Sequence, residues 1–127
     1  MMYLLGSKKM LMIAAFLFHG SEMLNRSGSD FPNAVVKHAI SRLHDERKIF
    51  EHPQWKMCCH RVARTVVIIV TDNDYPTSLT FELLQKIHDV PEYLTTIVTE
   101  CQNPRLIKSM YRTVNPTLVI IHEHIFL

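Results

Sequence analysis

The sequence predicts an α/β fold, a small parallel β-α-β-α-β sheet flanked by helices, with a helical segment at its N-terminus. Three observations predict it. Thr65 to Val70, Leu94 to Val98 and Thr117 to Ile121 are apolar, largely β-branched runs without polar alternation, as expected of strands covered on both faces. Segments with helical spacing separate these runs, and each run ends in a polar cluster. The 127 residues are 47% apolar and 20% charged with only 3 Gly, a composition that suits one packed core.

The apolar run Met10 to Phe18 follows Lys8 and Lys9. A helical segment is expected here, with an added strand over Leu11 to Phe18 and a secretory signal as alternatives. It is too short for a membrane-spanning helix, which needs about 20 apolar residues. Phe18-His19-Gly20 lacks the small-x-small pattern of a signal cleavage site. Ser21 to Asn33, with Ser27, Gly28, Ser29 and Pro32, reads as a linker, so the division is an N-terminal segment over 1–28 and a single α/β domain over 29–127.

Asp30 is placed to cap a helix from Pro32 to about Phe50, with Val36, Ile40 and Leu43 on one face. Lys37, Arg42, Asp45, Glu46, Arg47 and Lys48 give it a mixed-charge outer surface. Gln54 to Arg64 reads as a polar, cysteine-bearing connection. Thr65 to Val70 is then the central strand, and Thr71 to Pro76 the turn after it. Asp74 is placed to cap a helix with the stripe Leu79, Leu83, Leu84 and Ile87, which ends before Pro91. Leu94 to Val98 is the second strand. Asn103-Pro104 opens a further helix with Ile107, Met110, Tyr111 and Val114 inward, and Thr117 to Ile121 is the third strand.

In such a sheet, Asp72, Asp74, Glu100, His122, Glu123 and His124 gather at the carboxyl ends of the strands, where ligands of open α/β sheets bind. Two carboxylates in one turn can share a hard divalent cation through oxygen ligands. His122 and His124 alternate along a strand and point to one side, where two imidazoles can bind a transition metal. The candidate metal ligands are therefore Asp72, Asp74, Glu100, His122 and His124, and the candidate cofactor is a divalent metal. Turn formation and helix capping are the plain alternative for Asp72 and Asp74.

From Arg64 to Leu127 the order of elements and the acids Asp72 and Asp74 after the first strand resemble the acidic start of response-regulator receiver domains. The resemblance implies a flavodoxin-like sheet; where that family's third strand ends in the phosphoryl-accepting aspartate, this chain has His122. Ile121 to Phe126 is also similar to the His-x-His segment of the phosphotriesterase-like amidohydrolases, which implies metal-dependent hydrolysis at His122 and His124. That match covers six residues.

Fourteen Lys and Arg against 12 Asp and Glu give a net charge of +2, spread too evenly for a nucleic-acid footprint. Neither a GxGxxG sequence nor a P-loop follows the first strand, so no dinucleotide or triphosphate cradle is expected. Cys58, Cys59 and Cys101 are an odd set that implies no disulfide framework. Cys58-Cys59-His60 has metal-ligand types without the paired spacing of a zinc site. A cytoplasmic location follows from the cysteines, and a secreted one if Lys8 to Phe18 is a signal. The expected function is a non-catalytic interaction or regulatory module that binds a protein partner or self-associates as a homodimer. The alternative is a divalent-metal hydrolase, or a fragment of one, that uses the acidic and histidine edge.

Overall fold

The computed structural model describes residues 11–101 and 121–124. Strand β1 (Met12–His19) and strand β2 (Glu22–Gly28) form a hairpin, and helix α1 (Asn33–Ser41) follows. Strands β3 (Arg47–Glu51), β4 (Lys56–Val62) and β5 (Thr65–Thr71) form a meander. Helix α2 (Thr77–Asp89), a 3-10 turn (Pro91–Tyr93) and helix α3 (Leu94–Glu100) come next, and a short strand β6 (Ile121–His124) lies beside β3. The sheet order is β2-β1-β5-β4-β3-β6. The first five strands pair antiparallel throughout, and only β6 runs parallel to its neighbour.

This architecture corrects the expected parallel β-α-β-α-β sheet and its flavodoxin-like character. Thr65 to Val70 is central, as its unbroken β-branched run predicts. Its neighbours are the antiparallel strands β1 and β4, however, and not later parallel strands. Leu94 to Val98 is helical because Leu94, Ile97 and Val98 fall at i, i+3 and i+4 and are buried, whereas Thr95 and Thr96 face solvent. The β-branched residues misled because a buried short helix and a buried strand share composition. Of the expected third strand only Ile121 lies within the described residues, in β6. The expected helix after Asn103, with Ile107, Met110, Tyr111 and Val114, falls outside them.

The expected helical N-terminal segment is strand β1. Its residues Ala14, Phe16 and Phe18 face one side of the sheet while Ala15 faces the other, and all four are fully buried. An apolar run covered on both faces carries no period to separate strand from helix, and the packing of β1 between β2 and β5 decides the matter. The expected long helix stops at Ser41, and β3 takes Arg47 to Glu51. The supposed connection Gln54 to Arg64 holds β4, in which Met57, Cys58, Cys59 and His60 are all buried.

Two cores result. On one face α1 covers Ala14, Phe16, Phe18, Phe50, Met57, Cys59, Val66, Ile68 and Val70 with Val36, Ala39 and Leu43. On the other, α2 and α3 cover Ala15, Ile49, Cys58, Val67 and Ile69 with Leu79, Leu83, Leu84, Ile87, Leu94 and Ile97. The stripe predicted for α2 is thus the stripe that packs. Its start differs: Pro76 occupies the N-cap without a side-chain bond, and Asp74 does not cap.

The edge strand β2 is blunted. Between Leu17 opposite Asn25 and Phe18 opposite Met23 the register skips Leu24, a β-bulge that bends the strand. The Arg26 N–H donates to Asn25 Oδ1 at 2.8 Å, so that backbone donor is satisfied within β2. Gly28 ends β2 at φ 100°, where a Cβ would lie 2.5 Å from Ile13 O and 2.9 Å from Ala14 Cα, so only glycine lets the two strands approach.

Candidate functional site

The predicted acidic edge forms in part. Asp72 follows β5 directly, and its Oδ2 accepts the Leu11 N–H at 3.0 Å while its own N–H donates to Leu11 O at 2.9 Å. One of its carboxylate oxygens therefore serves to tie the start of β1 to the end of β5. Asp74 is exposed in the same turn. Glu100 is exposed at the end of α3, and that end is anchored to the turn because the Tyr75 hydroxyl donates to Cys101 O at 2.6 Å.

His122 pairs with Ile49 and His124 with Glu51, so β6 brings His124 to the rim that carries Asp72. Between β5 and β6 stand β4 and β3. Three inter-strand steps of about 4.8 Å separate the backbones by roughly 14 Å. The backbone positions of Asp72 and His124 thus share a rim three strands apart. Among the described residues no group of three or more His, Cys, Asp or Glu is arranged to hold a metal ion.

Beneath that rim lies a residue that the sequence did not single out. Lys56 opens β4 opposite Glu51 and Thr71 and is only 7% exposed. Its ammonium donates to Tyr75 O and, at 2.7 Å, to Thr77 Oγ1. Burial lowers its pKa, opposed by electrostatic interaction with Cys58, Glu51 and Asp74. The bonds go to the turn before α2, so Lys56 acts as a bracket between sheet and helix.

Cys58 and Cys59 face opposite cores. Burial pushes the Cys58 thiol up to about 12, and raises Cys59 and Cys101 as well, which disfavours the thiolate at each.

The opposite end of the sheet holds the better-formed concavity. There the β1–β2 turn, the β4–β5 turn and the end of α1 converge on a cleft of about 220 Å3, lined by Gly20, Ile40, Leu43, Arg61, Arg64 and Val66 among others. Ile40, Leu43 and Val66 contribute aliphatic side chains to its lining, and Arg61 and Arg64 contribute positive charge. Arg61 is half-buried and donates to Leu43 O at 3.3 Å and His44 O at 3.0 Å, which holds the chain after α1 against β4. Arg64 is exposed, and its carbonyl accepts the Gly20 N–H at 2.8 Å. A Cβ at Gly20 would stand 3.1 Å from Arg64 Nη2, so the guanidinium lies across the β1–β2 turn.

These residues escaped the sequence because Gln54 to Arg64 read as one connection. A signal was present: Met57 to His60 and Thr65 to Val70 are strand-like runs around a short polar-edged break, the layout of a hairpin. The break, Ala63-Arg64, lacks the Asn-Gly or Asp-Gly that marks such turns.

No model of a known protein family matches this chain, and no curated protein matches it either. Among the described residues no helix is long and apolar enough to cross a membrane.

Proposed function

We propose that this chain is a non-catalytic interaction module, and that the cleft between α1 and the two turns receives a short segment of a protein partner that carries a carboxylate beside an aliphatic side chain. The observation that supports this reading is the composition of the cleft: Ile40, Leu43 and Val66 bring aliphatic side chains to its lining, and Arg61 and Arg64 bring positive charge. Guanidinium pairs with carboxylate through two parallel hydrogen bonds, and contact with the aliphatic side chains adds burial. Arg61 already holds two carbonyls of the fold, so Arg64 is the group that selects the partner's charge.

The test uses fluorescence polarisation of labelled peptides that place a Glu or Asp near a Leu or Ile, with lysine-substituted peptides as controls, titrated with the full chain at low and high salt. The expected result is saturable binding that salt weakens, with the controls silent and Arg64→Glu reducing affinity by at least about tenfold through a reversed charge. Absence of binding across the acidic set, or unchanged affinity in Arg64→Glu with its fold intact by circular dichroism, overturns the reading. The metal-hydrolase alternative has the rim carboxylates Asp72, Asp74 and Glu100 in its favour, and saturable thermal stabilisation by Mg²⁺, Mn²⁺ or Zn²⁺ would support it.

A further inference from the structure

His60 on β4 takes no part in the cleft. It is 1% exposed, and neither ring nitrogen has a hydrogen-bond partner among the described residues. Glu46 Oε2, from the connection between α1 and β3, lies 3.7 Å from Nε2, beyond hydrogen-bond range. The ring of His88, in the last turn of α2, stands edge-on with centroids 4.7 Å apart, and His88 Nε2 meets His60 O at 3.0 Å. Arg47 of β3 is the register partner of His60, and its Nε is also buried without a partner. From β5 the neighbour is the apolar Val67. Among the described residues the charged and titratable groups facing His60 are therefore His88, Arg47 and Glu46.

We propose that this buried cluster is a proton-operated latch, in which acid favours an opened state whose His60 is hydrated and protonated, with the end of α2 and the α1–β3 connection parted from β4. A proton on His60 places a cation in a desolvated site beside Arg47 and His88, and among the described residues the exposed Glu46, 3.7 Å from Nε2, is the carboxylate that opposes this cost. Burial first, then His88 and Arg47, lower the His60 pKa to about 4, with Glu46 opposing.

The sign follows from linkage. The folded pKa lies below the ordinary value of 6.5, so folding favours the neutral ring. This stability is complete above pH 6.5 and is lost as pH falls toward 4, where the folded ring also takes up a proton. The α1–β3 connection is the element that bears the change: Glu46 O accepts the Arg61 N–H at 2.8 Å, and Leu43 on the same segment walls the cleft. The latch does not require the cleft to bind anything.

The experiment is amide hydrogen exchange of the full chain at pH 7 and near pH 5, corrected for intrinsic rates, together with an NMR titration of the histidine rings. Acidification is expected to lower protection in residues 43–47 and 86–90 by up to about tenfold per pH unit. In His60→Leu that pH response disappears, and in the wild type the His60 ring stays neutral down to about pH 4. An equal acid response in His60→Leu, or a His60 ring that titrates near 6.5, would overturn the proposal. The ring titration needs only the wild-type chain, so it decides the matter even where His60→Leu fails to fold.

Discussion

Ala63 occupies a backbone position that glycine fills more readily. Val62 pairs with Thr65, so the β4–β5 turn is only Ala63-Arg64, and Ala63 adopts φ 55°. A Cβ in this region crowds the carbonyl and costs about 1 to 2 kcal/mol. Glycine removes that cost but adds unfolded-chain entropy, which offsets roughly half. Ala63→Gly is therefore expected to stabilise the protein by about 0.5 to 1 kcal/mol, read as a higher urea midpoint with an unchanged slope. A lower midpoint would show that the turn carries no strain. Gly28 is the reverse case at residue scale: its contacts with the backbone at Ile13 and Ala14 leave no room for a side chain. Nothing in the sequence separates Gly28 from an ordinary loop glycine, because the demand comes from β1, which only pairing brings near.

At the scale of elements, the buried stripe of α2 was legible, its start was not, and β4 was hidden. The α2 stripe Leu79, Leu83, Leu84 and Ile87 repeats at 3.6 residues and packs on one face, so its pattern suffices. In β4, Lys56 and His60 break an apolar run that would otherwise read as a strand. Both are polar groups held inside, and burial of a polar group is a property of its surroundings. The Lys56 bracket gives a direct test of how α2 is attached. Lys56→Met keeps the stem and removes the donor, leaving Tyr75 O and Thr77 Oγ1 without it. Loss of about 1 to 3 kcal/mol is expected by urea denaturation, since unsatisfied buried acceptors carry that penalty. Neutral or positive change would mean that desolvation of the ammonium cancels its bonds.

For the whole molecule, the adjacent pair Cys58 and Cys59 is a built-in probe of cooperativity. Cys58 belongs to the core under α2 and α3, and Cys59 to the core under α1, and both thiols are fully buried. One sheet carries both cores, so opening either face strips support from the other. Labelling with a maleimide in mild urea is expected to modify Cys58 and Cys59 at the same rate, as two reporters of one global unfolding event. A marked difference between them, read by mass spectrometry, would show that the two layers open separately.

The chain's own order of residues determined that it packs, that Thr65 to Val70 lies at the centre, and which face of α2 turns inward. These are local quantities: composition, β-branching and a 3.6-residue period are all present before any segment meets another. Strand direction, the conversion of Leu94 to Val98 into a helix, and the neighbours of each strand were decided only in the tertiary structure. Apolar runs buried on both faces pair equally well in either direction as far as their composition goes. The meander of β3, β4 and β5 with β1 inserted beside β5 sets Asp72 and His124 on one rim but three strands apart, and draws Arg61 and Arg64 to a cleft at the other end. Which side chains share a site depends on contacts between residues distant along the chain, and those contacts exist only once the sheet has closed.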